Sequence, residues 1–225
     1  PDAVARLRTI MAREGTDEAT LMQHDVQAPL RWFRDLYPDL DVDRATLLGF
    51  SLAGRAQLTS FGPLSVPLVS AGSVAEIVEL LTYLPLITTA INAQFRPNDQ
   101  GLTVGLWGHT GDRALDCLAV TYTGSALLRL LDMLVSDALT VTLHLSWSAP
   151  VSLNKLAAEM VLAGRLFFDA PMSYLHVPVN ALNEVCRFSD PLAYRLAVAE
   201  LRRTLDEQSG ATSFSKKVRR LLDED

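Results

Sequence analysis

Ser51 is the residue of this sequence that comes nearest to a catalytic motif. It lies in Gly49-Phe50-Ser51-Leu52-Ala53-Gly54, which is close to the G-x-S-x-G elbow of serine hydrolases. Asp112 and His176 follow in the chain order in which those enzymes carry the rest of the triad. However, Ala53 replaces the last glycine, a helical pattern precedes the motif, and no glycine-rich oxyanion loop lies upstream. The sequence therefore favours a closely packed helix, and a serine hydrolase that uses Ser51 is a minor alternative.

Six further side chains have metal-binding or nucleophilic chemistry, namely His24, His109, Cys117, His144, His176 and Cys186. No histidine has another histidine, a cysteine or a carboxylate at the spacing typical of helical metal ligands. The two cysteines lie far apart, which favours buried thiols in a reducing cytoplasm. The sequence also lacks a phosphate-binding loop, a dinucleotide motif and paired carboxylates. We therefore expect no metal, no cofactor and no enzymatic activity.

Aromatic side chains could line a mostly apolar pocket for a small molecule. The candidate ligand-binding residues are Trp107, Tyr122, His144, Trp147 and Tyr174. The two tryptophans and Tyr122 come from neighbouring predicted strands, and Tyr174 comes from a later one. His144 lies on the polar side of its strand, where it is either solvated or part of a pocket lining. The alternative for the aromatic residues is that they belong to the hydrophobic core.

The composition is that of a folded protein without a membrane span. Hydrophobic residues make up 49% of the 225 and charged residues 20%, which suits a globular chain. No stretch of about 18 uncharged apolar residues occurs, since two glutamates and Pro85 interrupt the most apolar region, Val74 to Ala93. The N-terminus lacks the pattern of a signal peptide. We therefore expect a cytoplasmic protein that does not enter the membrane.

The net charge of −6 argues against nucleic-acid binding by the body of the chain. Affinity for nucleic acids comes largely from basic groups that displace phosphate counterions. The dense basic cluster of the sequence lies near the C-terminus, at Lys216, Lys217, Arg219 and Arg220.

Hydrophobic periodicity predicts helices in the first part of the chain. The first sixty residues favour short helices, followed by a longer one from about Asp43 to Leu58. Ser73 and Glu76 form a capping box, which predicts a helix that ends near Pro85.

Alternating hydrophobicity then predicts strands. Leu102 to Trp107 and Leu115 to Tyr122, joined by the turn-rich segment Gly108 to Asp112, indicate an antiparallel hairpin. The clearest strand runs from Leu139 to Trp147, and two short strands are predicted over residues 165–168 and 174–177.

The remaining helices are predicted over residues 124–137, 152–163 and 191–208. The last of these begins at Asp190-Pro191, a good helix start, and precedes a polar linker at residues 209–213. The predicted class is α+β, with N-terminal helices, an antiparallel sheet (the hairpin plus further strands) packed with helices, and a long C-terminal helix.

Four stretches carry a family pattern. They are Phe61-Gly62-Pro63-Leu64 to Leu84, Phe95 to Tyr122 with the helix after it, Leu156-Ala157 to Pro171, and Tyr174 to Pro178 with the helix start Asp190-Pro191. Together they resemble the N-terminal, arabinose-binding-like domain of AraC/XylS transcription regulators, in the branch of the ornithine-responsive and mycobacterial virulence-type activators. The tail Phe214 to Leu222 resembles the first helix of the DNA-binding domain in that family.

This resemblance implies a transcription activator whose residues 1–208 bind a small-molecule effector and form a homodimer. Residues 209–225 would be a linker and the start of a helix-turn-helix domain, either cut short or in a natural stand-alone sensor. DNA would be bound only through that C-terminal domain, and RNA polymerase is a further candidate partner. A ligand-free dimerisation and partner-docking module is the alternative function.

The dimer contact is expected on the last long helix, because it directly precedes the linker. Its candidate residues are Tyr194, Val198, Leu201 and Leu205. The alternative is that this face packs only on the sheet of its own domain.

Overall fold

The computed structural model describes residues 2–21, 29–135 and 140–223, and the side chains of residues 3–19, 29–135 and 140–208. Its first part is helical, as the sequence predicts. The helices are α1 (Asp2–Arg13), α2 (Glu18–Leu21), α3 (Trp32–Leu36) and α4 (Val42–Ala53). The Asp41 carboxylate caps α4 by accepting a hydrogen bond of 2.8 Å from the amide of Arg44. The helix ends at Ala53, earlier than the predicted Leu58.

Short helices and 3₁₀ segments follow. The 3₁₀ segments Leu58–Leu64 and Leu80–Leu86 flank α5 (Ser65–Ser70) and α6 (Val74–Glu79). The predicted cap of α6 is present, since Ser73 Oγ accepts from the amide of Glu76 at 3.4 Å. The Glu76 carboxylate accepts from the amide of Gly72 (2.6 Å), which places this second bond one residue before the cap.

Five strands form one sheet in the order β1-β2-β5-β3-β4. They are β1 (Ile91–Asn98), β2 (Gly101–Gly108), β3 (Thr142–His144), β4 (Leu166–Phe167) and β5 (Tyr174–Pro178). All neighbouring pairs are antiparallel except β3 and β4. Val104, Leu175 and Leu143 lie side by side across the sheet and are buried, so this face carries the core. The predicted α+β class is confirmed.

The predicted hairpin is wrong in its second strand. β2 pairs with β1, and Leu115 to Tyr122 belongs to α7 (Arg113–Leu134). The Asp112 carboxylate starts this helix by accepting from the amides of Ala114 (2.9 Å) and Leu115 (3.2 Å).

Burial explains why the pattern misled. α7 is buried along most of its 22 residues, so its sequence lacks the polar stripe that marks a surface helix. The β-branched and aromatic run from Val120 to Thr123 then resembles a strand, although these residues lie in mid-helix. α7 is also long and apolar enough to cross a membrane, but 72% of its most apolar window is buried inside the protein.

The C-terminal part largely follows the sequence prediction. α8 (Lys155–Leu162) begins at the cap Asn154, and α9 (Val179–Leu182) follows β5. α10 (Pro191–Asp223) is capped by Asp190, whose carboxylate accepts hydrogen bonds from the amides of Leu192 and Ala193. The helix continues through residues 209–213, where the sequence predicts a linker. The strand predicted from Leu139 is present only as β3, and residue 139 lies outside the described residues.

α4 packs directly against the central helix α7 at Gly49. A Cβ atom at Gly49 would lie 2.8 Å from Thr121 Cβ and 3.0 Å from the carbonyl oxygen of Leu118. Since the backbone of Leu118 cannot move without disturbing α7, only glycine allows this approach. This agrees with the closely packed helix that the sequence favours around Ser51.

We expect Gly49→Ala to lower the free energy of unfolding by about 1–3 kcal/mol, because overpacking outweighs the better helix propensity of alanine. The matched control is Asp43→Ala in the same helix, where the side chain is exposed and the change should stay within about 0.5 kcal/mol. Urea denaturation of both variants measures the difference. A Gly49→Ala variant as stable as the wild type would contradict the close contact.

Candidate functional site

The structure separates the predicted ligand-binding residues into three places. Tyr122 lines a cavity among the helices, Trp107 and Trp147 line a second cleft, and His144 and Tyr174 lie together on the sheet. The prediction that Tyr122 lies on a strand beside the two tryptophans is wrong, because Tyr122 belongs to α7.

The helical cavity has a volume of about 670 Å³, within the range of small-molecule sites. Its walls come from α3, α4, α5, α7, both 3₁₀ segments and the start of β1. The lining is mostly apolar and includes Phe33, Leu52, Phe61, Leu64, Leu68, Leu80, Leu81, Leu84, Ile87, Ile91, Leu118, Ala119, Tyr122, Ala126 and Leu127. An apolar space of this size suits a ligand with a large hydrophobic body.

Small residues on α7 leave this space open. Ala119, Tyr122 and Ala126 are spaced three and four residues apart, so they share one face of the helix. A leucine at either alanine position would fill more of the gap, as the larger side chains of the adjacent Leu118 and Leu127 show. Kinks in the opposite wall also shape the cavity. Gly62 interrupts the first 3₁₀ segment with a φ of 53°, and Pro85 lies inside the second.

Four polar side chains of the cavity wall have no hydrogen-bond partner among the described residues, namely Arg55, Thr89, Tyr122 and Thr123. Arg55 follows the C-cap of α4, and its exposed side chain forms no ion pair within those parts of the chain. Tyr122 is half-buried, and burial raises the pKa of its hydroxyl above the ordinary value. Thr88 differs, because its Oγ1 accepts from the amide of Ala90 at 3.1 Å. A cation and a phenol are thus available in a mostly apolar wall, whose other polar side chains are the hydroxyls of Ser60, Thr88, Thr89 and Thr123.

The second cleft lies beside the N-terminal end of α7 and is more open. Trp107 is 43% exposed, and Trp147 is buried with no hydrogen-bond partner for its Nε1 among the described residues. Cys117 also lines this cleft, but burial raises the pKa of its thiol to about 11. The other cysteine, Cys186, is buried with a thiol pKa of about 11 for the same reason. The predicted buried thiols are confirmed, and neither is activated for nucleophilic chemistry.

His144 is held in a stack of three rings. Its ring centroid lies 4.7 Å from that of Phe167 and 4.3 Å from that of Tyr174, with nearly parallel planes. The register causes this, since both partners are directly opposite His144 on adjacent strands. Thr142 Oγ1 lies 3.0 Å from His144 Nε2, and burial followed by the charge of His176 lowers the pKa of His144. The stack occupies both faces of the imidazole.

The residues of the possible hydrolase triad have other partners. Ser51 lies in mid-helix on α4, and its Oγ accepts from Asn154 Nδ2 at 3.2 Å. Asp112 accepts hydrogen bonds of 2.6 to 2.9 Å from the guanidinium of Arg34, and these bonds keep its pKa below the ordinary value. His176 lies in β5 opposite Thr103 and Thr142. No hydrogen bond joins the three groups, and the helix at Ser51 lacks the strand-to-helix turn of the elbow.

Metal chemistry has no visible basis either. Within the described ranges no group of three or more His, Cys, Asp or Glu side chains could hold an ion. His109 is exposed in its turn, and His24 lies outside the described residues.

The predicted dimerisation residues of α10 face their own domain. Val198 and Leu201 are buried in the core, and Tyr194 and Leu205 pack against it. The Tyr194 hydroxyl donates to the carbonyl of Glu76 at 3.3 Å. The role of these residues in a dimer stays a prediction, but their packing on the domain is clear.

No protein-family model matches this sequence, and no curated protein matches it significantly. Among solved structures, the fold is similar to that in the crystal structure of transcriptional regulator CdpR from Pseudomonas aeruginosa, with a TM-score of 0.57 and 17% sequence identity. The similarity covers 88% of this chain and 62% of that chain, so this chain spans less than two thirds of its length. At this identity the likeness shows a shared fold.

Proposed function

We propose that this chain is the effector-sensing regulatory domain of an AraC-type bacterial transcription regulator. The observation that carries the proposal is the apolar cavity of about 670 Å³ in a fold that a known transcriptional regulator shares. The sequence resemblance to AraC/XylS regulators supports it independently. A ligand-free docking module, the alternative, would have no use for such a cavity. Cytoplasmic location and activation of transcription belong to the same proposal.

The cavity wall is in contact with the helix that leads to the C-terminus. Leu80, Leu81 and Leu84 of the second 3₁₀ segment line the cavity. Tyr83 of the same segment accepts a hydrogen bond of 3.0 Å from Arg202 Nε of α10. If this segment can adopt two positions, a ligand that binds more tightly to one of them favours that position. Because the segment is bonded to α10, the ligand would then also favour one of two arrangements of α10.

Filling the cavity tests the sensor proposal. Ala119→Leu adds a larger side chain to the wall, and Ala75→Leu makes the same change at an exposed site on α6. In a thermal-shift panel of neutral and anionic amphiphiles, the wild type and Ala75→Leu should gain about 5 °C or more from a ligand present at roughly a hundred times its Kd. Ala119→Leu should lose this gain, because its side chain occupies the ligand space. An equal gain in all three proteins would refute the cavity as the effector site.

Homodimerisation is part of the proposal, and α10 offers an exposed apolar surface for it. Leu192 and Leu196 lie four residues apart and are 60% and 64% exposed. They are better targets than Leu201, because a charge at Leu201 would disrupt the core of the domain itself.

We expect the double variant Leu192→Glu, Leu196→Glu to be monomeric in sedimentation velocity. It should remain folded and show a cooperative thermal unfolding transition. The repulsion and desolvation of the new carboxylates would oppose association. Val151→Glu, at a fully exposed loop position, is the control and should remain dimeric. A double variant that stays dimeric would exclude this face of α10 as the interface.

A further inference from the structure

The helical cavity has a charge asymmetry that limits its ligand. Arg55 is the charged residue of the described wall, which contains no carboxylate. A cationic ligand would meet the guanidinium without a counterion, so the wall disfavours it. A polyol would leave most of its hydroxyl groups against leucines and phenylalanines, and their desolvation would be costly.

Among the described residues Arg55 also has no partner, which leaves its guanidinium to a ligand. The carbonyl of Ala53, at the end of α4, accepts a hydrogen bond of 2.5 Å from Arg129 Nη1. Arg55 is therefore not the group that satisfies this carbonyl, and within the described ranges it has no acidic partner. A guanidinium presents two parallel N–H groups that match the two oxygens of a carboxylate.

Tyr122 gives a second, independent indication of a ligand. The hydroxyl of a half-buried tyrosine can pair with water, with protein or with a ligand, according to the hydrogen-bond partners within reach. The Tyr122 hydroxyl has none among the described residues, although α7 places its ring in the cavity wall. An acceptor atom on a bound molecule would satisfy it.

We propose that the helical cavity binds an amphipathic carboxylate, with its hydrocarbon part among the leucines and its carboxylate on Arg55, where the Tyr122 hydroxyl donates a further hydrogen bond. This inference rests on the proposed sensor function and names the chemical class of the effector. The negative net charge of the chain gives such a ligand no general attraction, so selectivity depends on this arginine.

Octanoate and 1-octanol test the inference, because they share the same chain length and differ in charge. Isothermal titration calorimetry measures both with the wild type, Arg55→Gln and Arg96→Gln. Arg96 lies on β1, outside the cavity lining, and its replacement makes the same change in net charge.

We expect the wild type to bind octanoate more tightly than 1-octanol. Arg55→Gln should weaken octanoate binding about tenfold, the usual effect of losing a hydrogen bond to a charged group, and change 1-octanol binding less than twofold. Tyr122→Phe should weaken octanoate binding about threefold. Arg96→Gln should change neither affinity.

Two results would overturn the inference in different ways. If 1-octanol binds as tightly as octanoate, or Arg55→Gln weakens both equally, the carboxylate assignment is wrong while the cavity remains an effector site. If neither probe binds, the carboxylate assignment fails, and an Ala119→Leu variant that keeps the ligand response of the wild type would remove the sensor proposal as well.

Discussion

The start of the central helix is the constraint on which the rest of this structure depends. Asp112 accepts hydrogen bonds from two amides at the first turn of α7 and from the guanidinium of Arg34 in α3. One carboxylate therefore sets both the first residue of the buried helix and the position of the N-terminal helices against it. Because α7 contacts the sheet on one side and α4 on another, its register determines which side chains reach each surface.

The cavity follows from this register and from the sizes of a few residues. Gly49 lets α4 approach α7 closely at Thr121, whereas Ala119 and Ala126 leave a space next to Tyr122. The same helix, α7, therefore packs closely against α4 on one face and borders the cavity on another. A core without function would be expected to fill such a gap, since side chains that border an unfilled space lose packing contacts that stabilise the fold.

Local signals in the sequence predicted the ends of elements well. Ser73 caps α6, Asp190 caps the start of α10, and Gly164 follows α8 in a left-handed conformation. These signals can be read from the sequence because each depends only on neighbours a few residues away. The short strands at residues 166–167 and 174–178 were also predictable from their alternation.

The site was harder to predict, because a helix buried on most sides has no polar stripe to reveal its period. A strand over residues 115–122 would place Tyr122 on the sheet. The sequence therefore contained no indication that the two alanines share a helix face with Tyr122. Arg55 carried no local signal, since its importance depends on walls contributed by distant segments. The stack of His144 with Phe167 and Tyr174 likewise depends on strand order, which the sequence does not specify.

Native mass spectrometry of the purified chain, followed by denaturing extraction, shows directly whether the helical cavity holds a ligand. We expect the wild type to carry an extra mass of a few hundred daltons per chain, the size of ligand that a cavity of about 670 Å³ accommodates, and Ala119→Leu to lack it. The extracted compound should be an amphipathic carboxylic acid. The same extra mass retained by Ala119→Leu would contradict the account, because the ligand would then bind outside the helical cavity.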